Sequence, residues 1–117
     1  MEKFSMNTPL TGDYFTTVRL AVGGLCALAG FDVDTAEDFK VCVTESLLIL
    51  KRNGFLSADI SFVVGETLAC SIAGKTLGGD KEDALEDEIS RALLSALLGK
   101  VDFIKDAERV TKIQFEG

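Results

Sequence analysis

The chain has 117 residues, of which 47% are hydrophobic and 26% are charged, and its formal net charge is −7. This length and balance indicate one globular domain, residues 1–117, and exclude a disordered chain. A negative surface repels nucleic-acid phosphates and attracts basic proteins, so direct nucleic-acid binding is disfavoured, although the same charge also keeps a small domain in solution.

A strand is predicted over residues 3–8, where the side chains alternate in character and the only proline, Pro9, follows. A helix over residues 14–29 comes next, with Thr11 or Asp13 as its N-cap. Its apolar positions recur at spacings of three and four, which predicts one buried face. These positions are Phe15, Val18, Val22, Leu25, Leu28 and Ala29.

A second helix is predicted over residues 34–53. Gly30 separates it from the first helix and is typical of a helix C-terminus that needs a left-handed residue. Asp34 and Glu37 have the spacing of a capping box at the start of the second helix. Arg52 lies in its last turn, where a cation complements the helix dipole.

Two hairpins and one further helix are predicted in the second half of the chain. Gly65 and Glu66 are interpreted as a two-residue turn of the first hairpin. In chain order, the segments are strands 58–64 and 68–73, a loop at 75–80, a helix at 83–98, and a closing hairpin of strands 101–105 and 110–115. The helix is predicted to turn one apolar face to the core, formed by Ile89, Leu93, Leu94, Leu97 and Leu98.

The element order β-α-α-β-β-α-β-β predicts an α/β (α+β) fold. The expected architecture is a two-layer sandwich, with a mixed, mostly antiparallel sheet and three helices on one face.

The cysteines and the lack of histidine exclude several active sites. Cys26, Cys42 and Cys70 lie far apart among apolar neighbours and are interpreted as buried free thiols. Because the sequence has no histidine and no Cys-x-x-Cys pair, it cannot form the usual zinc sites or a nucleophile activated by an imidazole.

The hydropathy pattern gives no sign of a membrane segment. No apolar run approaches the roughly 20 residues that cross a bilayer, and the first ten residues lack the apolar core of a secretory signal. The sequence therefore predicts a cytoplasmic protein.

An acidic run covers residues 80–88, with six carboxylates and only Lys81 in opposition. It is interpreted as the solvated start of a helix, where carboxylates complement the dipole. A docking patch for a basic protein is the alternative.

Four segments in the first half of the chain carry a resemblance to a known family. They are Tyr14-x-x-x-Val18-Arg19-Leu20, Ala29-Gly30-Phe31, Glu37-Asp38-x-Lys40-Val41-x-Val43 and Thr44-Glu45-Ser46. In this order and spacing they resemble the anti-sigma factor serine kinases, which are bacterial regulators of stress response and sporulation. The resemblance covers residues 4–55 best and implies a truncated domain of the histidine-kinase-like ATPase (Bergerat) fold.

In that family the second helix carries the motif E-x-x-x-N-x-x-x-H, in which the glutamate is the base and the asparagine binds magnesium. Glu45 matches the glutamate, and Asn53 stands at the last polar position in altered form. Ile49 stands at the asparagine position, and a hydrocarbon cannot supply the oxygen ligand that magnesium demands. The resemblance therefore implies a lost metal–nucleotide site in which Glu45 is vestigial.

Two further family motifs are altered. The adenine-binding Asp-x-Gly corresponds to Gly74-x-Thr76, so the carboxylate is missing. The glycine-rich phosphate loop opens the last helix, and here Glu88 and Ser90 stand at glycine positions. An anionic side chain at such a position repels phosphates. The lid between these motifs is reduced to about residues 77–82.

These losses lead to a first hypothesis, a non-catalytic regulator without cofactor or metal that sequesters a protein such as a sigma factor or an anti-sigma antagonist. Phe15 and Arg19 on the first helix are its candidate partner-binding residues, and the resemblance also implies a homodimer through the N-terminal strand and helix. The alternative is an active serine kinase that uses ATP with magnesium, with Glu45 as base and Asn53 positioning the ligand. A third interpretation is an apolar small-molecule pocket beside Ile49.

Overall fold

The computed structural model describes residues 2–81 and 84–117. Within them the chain forms five strands and three helices in the predicted order. In chain order these are β1 (Glu2–Pro9), α1 (Gly12–Leu28), α2 (Val33–Arg52), β2 (Phe55–Val64), β3 (Leu68–Leu77), α3 (Ala84–Leu98), β4 (Val101–Asp106) and β5 (Arg109–Glu116). The predicted start of the last helix at residue 83 lies outside the described residues.

The strands form one sheet in the order β1-β2-β3-β5-β4, and all four described pairings are antiparallel. One row of apolar side chains is in register across all five strands: Met6, Ile60, Ile72, Ile113 and Phe103. This row belongs to the core face, on which α2 contacts β2, β3 and β5, while α1 contacts β1 and α3 contacts β4. The predicted two-layer sandwich with helices on one face is confirmed. The sheet was expected to be mixed and mostly antiparallel, and all of its described strand pairings are antiparallel.

The opposite face of the sheet is polar. The next row in register is Ser5, Ser61, Ser71 and Gln114, none of which is buried. An antiparallel sheet can leave one face in water, and this alternation explains why the strands are recognisable in the sequence.

The end of α1 follows the sequence prediction. Gly30 has a φ of 78°, and its N–H donates to the carbonyl of Ala27 at 3.1 Å. The N–H of Phe31 donates to the carbonyl of Cys26 at 3.0 Å. This pair of hydrogen bonds is a Schellman motif, which requires the left-handed conformation that glycine adopts without a steric penalty.

The predicted capping box at the start of α2 is wrong. Asp32 is the N-cap, and its side chain accepts a hydrogen bond from the N–H of Thr35 at 2.7 Å. That bond lowers the pKa of the Asp32 carboxyl because it stabilises the charged form. Asp34 lies inside the helix, and Glu37 pairs with Lys40 at 2.9 Å instead of reaching back to a cap.

The first hairpin differs from its prediction in two respects. Val64 pairs with Leu68, so the turn contains three residues, 65–67, rather than two. β3 also continues to Leu77, into the segment predicted as a loop. Its extra length pairs with the start of β2, where Ser57 is opposite Lys75. The hydrophobic pattern does not reveal this extension because its side chains are exposed.

Three residues predicted to lie in the core are exposed. Leu28 is 72% exposed, Ile89 62% and Leu93 36%. Among residues 85–98 of α3, Leu94 is the fully buried apolar residue, and it shares the buried face with the polar residues Asp87 and Ser90. The core-facing side of α3 is therefore partly polar, which a search for apolar periodicity cannot detect.

The three cysteines are buried free thiols, as predicted. In the described part of the chain, none of the helices combines the length and the apolar character that a membrane crossing requires.

Candidate functional site between the second and third helices

α2 and α3 are joined by five polar side chains, the α2–α3 network: Glu45, Arg52, Asn53, Asp87 and Ser90. The first two belong to α2, Asn53 is the C-cap of that helix, and the last two belong to α3. Four of the five residues are buried, and Glu45 is half-buried. Polar groups are stable inside a protein only when their hydrogen bonds are satisfied, and this network supplies them.

An ion pair between Arg52 and Asp87 is the centre of the network. Nε of Arg52 donates to Oδ1 of Asp87 at 2.6 Å, and both side chains are at most 10% exposed. Nη2 of Arg52 donates to Oγ of Ser90 at 2.6 Å. Charge-assisted hydrogen bonds of this length are strong, and either ion would be left buried without its counter-charge if the other were removed.

Glu45, the predicted vestigial base, is bound within the network. Oγ of Ser90 donates to Oε2 of Glu45 at 2.8 Å while accepting from Arg52. The carboxylate of Glu45 therefore contacts α3 through Ser90.

Both the nitrogen and the oxygen of the Asn53 side-chain amide form hydrogen bonds within the protein. Nδ2 donates to the carbonyl of Ile49 at 2.7 Å and to Oδ2 of Asp87 at 2.9 Å, and Oδ1 accepts from the N–H of Val110 at 3.0 Å. Both amide protons are thus used. Nη1 of Arg109 also donates to the backbone carbonyl of Asn53 at 2.6 Å. Asn53 fixes the end of α2 to α3 and β5.

The residues at the metal position do not fit a magnesium–nucleotide complex. Ile49 is fully buried in the core and offers no oxygen. Glu45 and Asn53 are engaged with Ser90 and Asp87. Among residues 2–81 and 84–117, no cluster of three or more acidic, cysteine or histidine side chains could hold a metal ion.

The segment that corresponds to the adenine motif is also filled. A Cβ atom placed on Gly74 would lie 2.5 to 2.8 Å from three ring carbons of Phe55. A carboxylate cannot occupy this position unless Phe55 moves. Thr76, which replaces the motif's glycine, retains a φ of 57°. A positive φ is a backbone conformation that favours glycine and is rare for a β-branched residue.

The two candidate partner-binding residues lie on α1 but differ in environment. Phe15 is half-buried and packs against the core, whereas Arg19 is exposed. Arg19 lines a shallow cleft of about 230 Å³ between α1 and α2, together with Thr16, Leu20, Glu37 and Lys40.

Sequence reasoning missed most of the network. Asp87 was predicted to lie in a solvated acidic run, yet it is buried and paired with Arg52. Asp87, Ser90 and Leu94 recur at spacings of three and four, which indicates that they lie on one face of the helix. The sequence does not indicate that Arg52 is the partner of Asp87, because the two residues are 35 positions apart along the chain.

Comparison with known proteins gives a partial similarity to curated relatives. No family model matches the chain. Over 67 residues, or 57% of its length, the chain is 27% identical to the serine-protein kinase RsbW of Listeria monocytogenes serotype 4a (strain HCC23) and of two serotype 4b strains. The match covers 43% of each relative, so the chain spans less than half the length of the curated relatives it matches. This similarity supports the resemblance to anti-sigma factor serine kinases that the motifs carry.

Proposed function

We propose that the chain is a non-catalytic regulator of the anti-sigma-factor type, which binds and sequesters a cytoplasmic protein partner such as a sigma factor or an anti-sigma antagonist. The observation that carries this proposal is the α2–α3 network beside the buried Ile49. In the resembling kinases this region holds the metal and the phosphates.

The network supports a loss of nucleotide binding in two ways. A phosphate approaching the start of α3 would meet Glu86 and Glu88, which are exposed carboxylates. A magnesium ion at α2 would meet the buried Ile49 at the metal position, and this side chain offers no oxygen ligand. Glu45 beside it already accepts a hydrogen bond from Ser90, which in turn accepts from the buried Arg52.

The exposed side of α1 is the surface proposed for the partner. Leu20 is 74% exposed, and Arg19 and Thr16 lie beside it on the cleft between α1 and α2. Arginine is enriched in protein interfaces, and the exposed Leu20 adds an apolar side chain to the same surface. β1 is an edge strand of the sheet, so a homodimer through β1 and α1 is part of the same proposal.

Thermal unfolding with and without Mg-ATP tests the loss of nucleotide binding. A ligand present at 100 times its Kd stabilises a protein by about 2.7 kcal/mol, which raises the Tm of a small domain by several degrees. We expect no change in Tm with Mg-ATP relative to magnesium alone. A rise of several degrees would instead support the active kinase, in which Glu45 is the base and Asn53 positions the ligand.

Substitutions on α1 test the binding surface. Arg19→Glu and Leu20→Asp should each weaken the complex with a sigma factor of the same host roughly tenfold or more, the factor that corresponds to about 1.4 kcal/mol. Isothermal titration calorimetry gives the Kd and the stoichiometry. Lys112→Glu, on the polar face of the sheet, is the matched control and should leave the Kd unchanged. Equal affinities for all variants would contradict the α1 surface.

A further inference from the structure

The exposed side of α3 carries a row of apolar side chains, the α3 stripe. Leu85 is 61% exposed and Ile89 62%. Leu93, Ala92 and Ala96 are exposed as well. These five residues recur at spacings of three and four, so they lie on one face of the helix. The stripe extends along the helix for roughly 16 Å, which suits contact with another helix.

The polar and apolar faces of α3 are reversed relative to an ordinary surface helix. Such a helix buries its apolar stripe and turns its polar side to water. In α3, Asp87 and Ser90 are buried in the α2–α3 network, while Ile89 faces solvent about 160° around the helix from Asp87. Single exposed aliphatic residues are common, whereas a contiguous apolar patch marks an interaction site. The α3 stripe therefore has the character of a docking face.

Two carboxylates border the α3 stripe. Glu86 and Glu88 are exposed and lie on its two sides, with Ile89 between them. The Glu86 side chain is 71% exposed, so it remains accessible although its Oε2 lies 3.9 Å from Nη1 of Arg52. Charged residues beside an apolar seam determine which helix pairs with it. The acidic border therefore favours a partner helix that carries lysine or arginine at the facing positions.

The same charges disfavour two other occupants. In a parallel pair of α3 helices from two copies of the chain, Glu86 and Glu88 would lie beside identical carboxylates. In an antiparallel pair centred on the stripe, they would lie beside Ser95 and Leu93, which carry no charge. An anionic membrane surface would repel both carboxylates. A second copy and a membrane thus lack the positive charges that complement this border.

We propose that the α3 stripe is a docking surface for a basic amphipathic helix of a partner protein. In the complex, Ile89 and Leu93 are covered by the apolar residues of that helix, and Glu86 and Glu88 pair with its lysine or arginine side chains. The stripe lies on the solvent side of α3, and α2 contacts both α1 and α3, so this surface is separate from the one on α1. The proposal does not depend on the regulatory function.

Fluorescence anisotropy with three labelled synthetic peptides tests the chemistry of the occupant. Each peptide has about 18 residues, because shorter isolated helices are marginally stable in water. The first has leucine at helical spacing and lysine on both flanks, the second replaces each lysine by glutamate, and the third has the first composition in scrambled order. We expect the first peptide to bind saturably, with a Kd lower than those of the other two by roughly tenfold or more. Equal affinities of the first and third peptides, or no saturable binding of the first, would overturn the proposal.

Substitution of an exposed isoleucine locates the binding on α3. Ile89→Ser should raise the Kd of the lysine peptide roughly tenfold or more, because an aliphatic contact buried in the complex is lost. Ile104→Ser is the matched control and should leave the Kd unchanged, since Ile104 is also exposed but pairs with Lys112 on the polar face of the sheet. Equal Kd values for these two variants would contradict docking on the stripe.

Substitution of a single carboxylate tests the acidic border. Glu88→Gln should raise the Kd of the lysine peptide roughly twofold to fivefold, the effect of one exposed ion pair. Glu66→Gln removes the same charge from the β2–β3 turn and should leave the Kd unchanged. If both variants weaken binding equally, general electrostatic attraction explains the binding and the border has no specific role.

Two further measurements detect the other occupants. Sedimentation velocity compares the mass of the unsubstituted protein with that of Ile89→Ser, and we expect the two masses to be equal. Vesicles of phosphatidylcholine and phosphatidylserine are sedimented with each protein, and we expect neither protein to sediment with them. A mass that falls in Ile89→Ser identifies a second copy on the stripe, and vesicle binding that this variant abolishes identifies a membrane; either result overturns the partner helix.

Discussion

Thr76 has a φ of 57°, which is rare for a β-branched residue. Gly74, two residues earlier, has the ring of Phe55 directly beside it, so a side chain at residue 74 would require Phe55 to move. At the scale of single residues, this segment therefore combines a strained threonine with a glycine that close packing requires.

Thr76→Gly should stabilise the protein. A non-glycine residue in the left-handed region costs about 1–2 kcal/mol, while glycine loses roughly 0.5–1 kcal/mol through its greater freedom in the unfolded chain. We therefore expect a gain of about 0.5–1 kcal/mol in the free energy of unfolding, measured by denaturant titration. Thr67→Gly is the control, because Thr67 is exposed and its φ is not positive. A loss of stability in Thr76→Gly equal to that of the control would contradict the expected strain.

α3 depends on buried polar contacts to an unusual degree at the scale of secondary structure. Of the large apolar residues in its first three turns, Leu85, Ile89 and Leu93 are exposed, whereas Asp87 and Ser90 are buried. Arg52 holds both of these polar residues against α2. A buried ion pair has a large desolvation cost, which offsets much of the attraction between its charges, whereas the loss of one partner leaves the other charge buried and unpaired.

Asp87→Ala should therefore destabilise the protein by about 3–5 kcal/mol, since Arg52 would be left as an unpaired buried charge. Denaturant unfolding measures the change, and hydrogen exchange should show the largest loss of protection in α3. Glu86→Ala is the matched control. The Glu86 side chain is 71% exposed, and its Oε2 lies 3.9 Å from Nη1 of Arg52. Its effect should stay within about 0.5 kcal/mol. An effect of Asp87→Ala as small as the control's would show that the ion pair does not fix α3.

At the scale of the whole molecule, one core joins α1, α2 and the sheet, and it contains all three thiols. Burial raises the pKa of Cys42 to about 12, and it also raises the pKa values of Cys26 and Cys70. The folded state therefore holds these thiol protons more tightly than the unfolded state does. The stability linked to the thiols is complete below their ordinary pKa of 9.0 and is lost as the pH rises above it towards 12.

Cys42→Ala should consequently have a shallower alkaline dependence than the unsubstituted protein. Denaturant titrations between pH 8 and roughly pH 11 give the free energy of unfolding of each protein, and the slopes are compared because the substitution also leaves a small cavity. We expect the unsubstituted protein to lose more stability over this interval. Parallel pH profiles would mean that Cys42 ionises equally in the folded and unfolded states.

Local sequence patterns determined the elements and their order. Gly30 ended α1 because only a left-handed residue completes its hydrogen bonds, and alternation in β2 and β3 marked the two faces of the sheet. The same patterns placed Glu45 and Ile49 on the second helix and Asn53 at its end, at successive spacings of four residues. These features follow from contacts within a few residues of each other.

The tertiary structure alone decided which polar residues are buried and what they bind. Arg52 pairs with Asp87 across 35 residues of sequence, and Glu45 with Ser90 across 45. A charged residue on a helix looks the same in the sequence whether it meets water or a counter-ion, because its desolvation depends on a distant segment. The amino-acid sequence by itself therefore determines the helices and strands of this protein and their order. The hydrogen bonds of the α2–α3 network depend on how α3 packs on α2.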